Sequence, residues 1–181
     1  MMMDIGKLIS LDKDRMNTYI TTDSHFNHER VKEYCGRPEN YESIIWSELY
    51  NLTEEHLLIH LGDICWYDNI EIHKKIAELR CRKVLVRGNH DKKSDHWYLE
   101  HGWDFVCDTF QITRHKKKVL FSHKPRAWDG YFDINIHGHL HNSQHNMGNN
   151  LLGIQRHGQY LVCIEDLNYK LIKLDTILKE A

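Results

Sequence analysis

Five short apolar runs in this chain each end in a cluster of small and polar residues, and that repetition constrains the fold more than any other feature. Tyr19-Ile20-Thr21-Thr22 leads into Asp23-Ser24-His25, and Leu57-Leu58-Ile59-His60-Leu61 leads into Gly62-Asp63. Val84-Leu85-Val86 leads into Arg87-Gly88-Asn89-His90-Asp91, Phe121-Ser122 into His123, and Ile134-Asn135-Ile136 into His137-Gly138-His139-Leu140-His141. Short runs of this kind, rich in β-branched residues, read as strands. Between them, Tyr41 to Leu52 carries Ile44, Ile45, Leu49 and Leu52 at helical spacing, and Ile70 to Leu79 is an amphipathic helix. Beyond Asp108 the pattern turns to strand pairs: Thr109 to Thr113 and Val119 to Ser122 flank the basic turn His115 to Lys118. Tyr160 to Ile164, Lys170 to Leu174 and a short C-terminal helix complete the chain. The alternation is that of an α/β or α+β fold. Ligands of open α/β sheets bind beyond the carboxyl ends of the strands, so polar clusters repeated there are expected to converge on one site. The glycines among them suit a backbone that must turn sharply and approach closely.

Composition narrows the class. A length of 181 residues is the size of one domain, expected over 1–181 with a core at about 18–178. No apolar run approaches the ~18 residues of a membrane span, and Met1 to Met16 lacks the apolar stretch of a signal peptide. The five cysteines are odd in number and form no Cys-x-x-Cys, which reads as reduced thiols in a cytoplasmic protein. A net charge of −2 gives no general attraction to duplex nucleic acid. The 15 histidines stand out; His56, His73, His96, His101, His115 and His157 read as surface residues, and the others fall at or beside the clusters.

Those clusters supply oxygen and imidazole nitrogen without thiolate, a donor set for Mn²⁺ foremost, with Fe²⁺, Zn²⁺ or Ni²⁺ as alternatives. Asp23, His25, Asp63, Asn89, His123, His139 and His141 make seven donors, too many for one tetrahedral centre but suited to two ions sharing a carboxylate. Positions i and i+2 of an extended chain project to one side, so Asp23/His25 and His139/His141 are each expected to be side-by-side donors. Each piece alone is weak, since Asp-x-His and Gly-Asp arise by chance and a lone histidine is more often a packed residue than a ligand. The ordered set carries the weight.

In this order the blocks resemble the calcineurin-like metallophosphoesterase superfamily, whose pattern runs Asp-x-His, Gly-Asp, Gly-Asn-His-(Asp/Glu), His and Gly-His-x-His. Asp23-Ser24-His25-Phe26-Asn27-His28, Tyr34-Cys35-Gly36-Arg37-Pro38 and Ile164-Glu165-Asp166-Leu167-Asn168-Tyr169 further resemble a small bacterial and phage branch of it, so the likeness spans roughly 19–178. The resemblance implies a sandwich of two β-sheets flanked by helices. It implies that Asp23, His25 and His141 hold one ion, that Asn89, His123 and His139 hold the other, and that Asp63 bridges them. It implies that His90 protonates the leaving group while Asp91 orients the imidazole. His28, Arg37 and Asn89 are candidate substrate contacts; for Arg37 a loop-fixing salt bridge is an equal alternative. His60 and His137 read as packing or supporting residues.

The implied chemistry is phosphoester hydrolysis by hydroxide shared between two ions about 3.5–4 Å apart. Two divalent ions, two carboxylates and one hydroxide sum to about +1, matched to a phosphodiester monoanion or a phosphomonoester. The expected activity is that of a phosphodiesterase on a small nucleotide-type substrate. The alternatives are a nuclease, a phosphomonoesterase, or a non-catalytic scaffold of the same fold, which the intact His90 argues against. Trp66, Tyr67, Trp128 and Tyr131 could stack on a nucleobase, but packing at the sheet edge is the simpler expectation. The run His115 to Lys118 reads as a solvated turn before it reads as a phosphate contact.

Overall fold

A computed structural model of the chain describes residues 17–142 and 158–180. Met1 to Met16 and His157 lie outside the described residues.

Strands β1 (Asn17–Thr21), β2 (His56–His60), β3 (Arg82–Val86) and β4 (Phe105–Cys107) form a parallel array, closed at one edge by the antiparallel β9 (Ile172–Lys173), in the order β4-β3-β2-β1-β9. Strands β5 (Thr109–Arg114), β6 (Lys117–Ser122), β7 (Ile134–His137) and β8 (Gln159–Leu161) form the second sheet in that order; β5 and β6 are a hairpin, and β6, β7 and β8 run parallel. Helices α1 (Glu29–Cys35), α2 (Tyr41–Tyr50) and α3 (Ile70–Ala77) follow β1 and β2, α4 (Asp95–Glu100) precedes β4, and α5 (Leu174–Glu180) follows β9.

The first sheet is buried on both faces, which is why its strands read as unbroken apolar runs. Ile20, Leu57, Ile59, Val84 and Val86 point to the second sheet, where they meet Val119, Phe121, Ile134 and Ile136. Tyr19, Leu58 and Leu85 point the other way, into a core with Ile45 and Leu49 of α2 and Ile72 and Ile76 of α3. The result is the two-sheet sandwich flanked by helices.

Several expectations are corrected. The helices α1 and α4 and the strand β4 were not foreseen; each is short, and α1 and α4 bury one residue apiece, Val31 and Tyr98. His73 is fully buried between Trp97 and Tyr98, not on the surface. The strand expected over Tyr160 to Ile164 stops at Leu161, and that expected over Lys170 to Leu174 contracts to two residues because Leu174 opens α5. The hairpin turn is His115-Lys116 alone, with φ of 50° and 64°, while Lys117 and Lys118 lie in β6.

Candidate metal centre

The parallel array delivers its donors to one edge. Asp23 and His25 follow β1, Asp63 follows β2, Asn89 and His90 follow β3, His123 follows β6, and His139 and His141 follow β7. Backbone bonds knit the turns together: Asp23 N–H donates to Gly62 O at 2.9 Å, His25 N–H to Asp63 O at 3.1 Å and Gly138 N–H to His123 O at 3.0 Å. Glycine is required where these turns approach one another. A Cβ on Gly88 would fall on Asp63 Oδ1, and one on Gly138 would meet Thr22 Oγ1 and, at 2.5 Å, Asp23 Oδ2.

The donors form two groups. In one, Asp23, His25 and His141 converge: the Nε2 atoms of His25 and His141 lie 3.9 and 3.8 Å from Asp23 Oδ1. In the other, His123 Nε2 lies 3.5 Å from Asp63 Oδ2, 3.1 Å from Asn89 Oδ1 and 3.1 Å from His139 Nδ1. Asp63 Oδ2 sits in the second group and also reaches toward the first, lying 3.7 Å from His25 Nε2. Four of the seven, Asp23, His25, Asp63 and His123, are buried.

The expected side-by-side pairs fare differently. Asp23 and His25 do meet, but through left-handed backbone at φ of 48° and 46°, since β1 has already ended. His139 and His141, at φ of 73° and 49°, separate into different groups. With Asp63 at 56°, five donors occupy a region that Asp and His enter more readily than bulkier residues, at a cost of order 1–3 kcal/mol each.

The donor chemistry fits a cation in both groups. His123 Nδ1 is 2.7 Å from the Leu61 carbonyl, which fixes its proton there and turns the Nε2 lone pair toward Asn89 Oδ1 and Asp63 Oδ2. Lone pairs facing one another at that range are stabilised by a positive ion between them. In the first group, Asp23 Oδ2 accepts from Thr22 Oγ1 at 2.6 Å and from the His139 N–H at 2.8 Å. Asp23 Oδ1 is buried with no hydrogen-bond partner among the described residues. A buried, unsatisfied carboxylate oxygen is costly unless a cation meets it. Burial holds the His25 and His139 imidazoles down to about 3 and about 4, the neutral form a metal requires. Burial also lowers His141, but its bonds to Cys35 and Glu165 and the Asp23 charge outweigh that and raise it to about 10. An ion held by this group would therefore compete with a proton for His141. Burial raises the Asp63 carboxyl.

Supporting residues differ from those expected. Arg37 is not a substrate contact: its side chain is fully buried, with Nη2 donating to Glu165 Oε1 at 2.6 Å and to Asp23 O at 2.7 Å, and Nη1 to Ser24 O at 2.9 Å. The loop-fixing alternative is the one the structure adopts. Asp91 does not orient the His90 ring; its carboxylate turns back to accept from the N–H groups of Asp63 at 2.9 Å, Ile64 at 3.1 Å and Gly88 at 2.7 Å, and so sets the backbone around Asp63. Burial pushes its carboxyl up to about 6. His60 bonds Ser24 Oγ at 2.8 Å and accepts from the Gly62 N–H, and His137 is buried against the Gly138 carbonyl. Glu165 was missed: its Oε1 is 3.0 Å from His141 Nδ1 and fixes that ring. The signal was present, because Glu165 ends the apolar run Tyr160 to Ile164 as the other polar residues end theirs.

His90 hangs over the centre, with Nε2 3.9 Å from Asp63 Oδ2 and its N–H bonded to Asp63 Oδ1 at 2.8 Å. Its side chain is 37% exposed. It faces a cleft of about 520 Å³ also lined by His28, Trp66 and Asn89 and, from the donor groups, by His25, His141, Asp63 and His139. His28 caps α1, with Nδ1 accepting from the Val31 N–H at 3.0 Å.

No family model matches the chain. It is similar to the uncharacterized protein MJ1445 of Methanocaldococcus jannaschii, 29% identical over 175 residues and 89% of each chain. Among solved structures it is similar to AQ665 of Aquifex aeolicus, a protein of unknown function. The two are 27% identical with a TM-score of 0.74, over 92% of this chain and all of the other. A Pseudomonas putida nuclease, MPE, overlaps more loosely, at 20% identity and a TM-score of 0.47 over 68% of this chain and 61% of its own. The likeness to AQ665 carries the whole two-sheet architecture and says nothing of chemistry.

Proposed function

We propose that this chain is a divalent-metal-dependent phosphoester hydrolase of the calcineurin-like metallophosphoesterase kind, acting as a phosphodiesterase on a small nucleotide-type substrate. The observation that supports this most is Asp63 Oδ2, one buried carboxylate oxygen 3.5 Å from His123 Nε2 in one donor group and 3.7 Å from His25 Nε2 in the other. Asp23, His25 and His141 would hold one ion and Asn89, His123 and His139 the other, with Asp63 serving both; Mn²⁺ is the first candidate. Two such ions supply an activated water and electrostatic stabilisation of the phosphoryl oxygens.

The remaining work falls to the chain. Asn89 contributes oxygen without charge, so the net positive charge available to an anionic substrate is preserved. His90 Nε2, at the cleft surface, donates a proton to the departing oxygen, and its backbone bond to Asp63 holds the ring beside the centre. His28 lines the same wall as a candidate contact to a phosphate oxygen. Hydrolysis of bis(p-nitrophenyl) phosphate with Mn²⁺, abolished by Asp63→Asn, is the expected result. Turnover of p-nitrophenyl phosphate alone would make the chain a phosphomonoesterase, and turnover of neither would leave a non-catalytic scaffold.

A further inference from the structure

We infer that the recess beyond Trp66 is a leaving-group subsite that takes the base of a nucleoside. The inference rests on the hydrolase reading above and deepens it. His90 protonates the departing oxygen, so the leaving group lies on the His90 side of the centre. That side is aromatic. The Trp66 ring is 5.5 Å from the His90 ring, His28 meets Trp66 edge-on at 4.0 Å, and Tyr67 meets it at 4.8 Å. His28, Tyr34 and Trp66 line both the metal cleft and a recess of about 490 Å³, so the two adjoin across these rings.

Two features identify the occupant. Tyr34 and Tyr67 are 66% and 83% exposed, leaving large ring faces at the mouth of the recess, where a flat π-system can stack. The recess is also edged by Asn27, Arg30 and Glu29, the last held by Lys32 at 3.0 Å. An alkyl chain would gain nothing from an amide and a guanidinium at the rim, whereas the edge of a heterocycle offers them acceptors and donors. A nucleobase matches both faces and rim.

The platform is held in place. Tyr67 and Asp68 are left-handed, with φ of 54° and 46°. The buried Asp68 carboxylate accepts from the Tyr98 hydroxyl and from the Lys92 N–H at 3.0 Å, two residues beyond His90. The Trp66-Tyr67 turn is thereby tied to the segment that carries His90, so stacking on the ring also positions the ester oxygen.

The test uses the full-length protein loaded with Mn²⁺ and two methyl phosphodiesters, one of adenosine and one of the methyl riboside that lacks the base. One stacked base gives a kcat/KM advantage of about 5- to 150-fold to the adenosine ester. Trp66→Ala and Tyr67→Ala each cut that ratio several-fold, while Tyr131→Ala, at an exposed ring outside the recess, leaves it intact. Trp66→Phe guards against a folding defect, keeping a ring and part of the ratio. A parallel titration follows intrinsic Trp fluorescence, with AMP giving a quench that Trp66→Phe removes and ribose 5-phosphate leaving the signal unchanged. A ratio near one with both esters hydrolysed overturns the subsite and leaves the hydrolase reading intact. Quenching by AMP with neither ester hydrolysed keeps the subsite and overturns the hydrolase. A single-stranded oligonucleotide that displaces AMP and binds with a slope against log salt scaling with several phosphates would assign the recess to a long strand and overturn the nucleoside assignment.

Discussion

Replacing Arg37 by Met separates what holds the fold from what holds the ion. The guanidinium is fully buried and Glu165 is 3% exposed, so the variant strands a carboxylate inside the protein. Breaking a buried pair from one side costs roughly 3–5 kcal/mol. Here the lower end applies, because Glu165 keeps His141 at 3.0 Å and the Cys163 thiol at 3.3 Å, although the Asp23 and Ser24 carbonyls lose their donors. At about 2–4 °C per kcal/mol for a chain of this length, the melting temperature in EDTA falls by about 6–12 °C. Exchanging both partners, Arg37→Met with Glu165→Met, removes the stranded charge and recovers most of that loss. The ion does not recover. His141 Nδ1 has lost its carboxylate, and loss of such a partner costs about 10- to 100-fold in metal affinity. Calorimetric Mn²⁺ titration of the double variant is thus expected to find one weakened site and one unchanged. A single variant that melts within 2 °C of the parent, or a double variant with both affinities unaltered, would refute the reasoning.

Four further outcomes follow from the same geometry. Asp63→Asn weakens both ions together in elemental analysis, and loss of one alone would show that the carboxylate is not shared. His90→Ala slows alkyl and nucleoside esters by about 10²–10⁴ and p-nitrophenyl esters far less, with metal content retained; equal losses would leave His90 a positioning residue. His123→Ala, by contrast, removes a donor, lowers both esters alike and costs one ion. Metal binding at pH 8 releases about one proton in calorimetry across buffers of different ionisation heat, because His141 is raised to about 10 and must deprotonate to bind; Glu165→Gln diminishes that release.

The sandwich was legible because the apolar runs are unbroken where the first sheet is covered on both sides. The convergence was legible because a polar residue directly after such a run has no packing reason to be there, and Asp23, His25, His141 and Asp63, His123, His139 do gather in two groups. Arg37 was ambiguous for a chemical reason: a guanidinium suits phosphate and carboxylate equally, and its partner lies 128 residues away. Asp91 misled by adjacency, since the turn aims its carboxylate back along the chain and away from the neighbouring ring. Helix α1 was hidden because it buries only Val31 and is capped by a histidine, not by Ser, Thr, Asp or Asn. Helix α4 did carry a serine cap, Ser94, but its six residues are too few to display a period.

The left-handed backbone at Asp23, His25, Asp63, His139 and His141 bears on how such a site persists over generations. At each of these positions glycine would relax the chain, and at most of them asparagine would fit as well as the resident side chain. Drift toward a sturdier apoprotein thus runs in the direction of losing ligands one at a time. A lineage that no longer used the ions would be carried that way by stability alone, with the architecture intact and the chemistry gone. In the metal-centre reading, these five side chains are held against the molecule's own conformational preference.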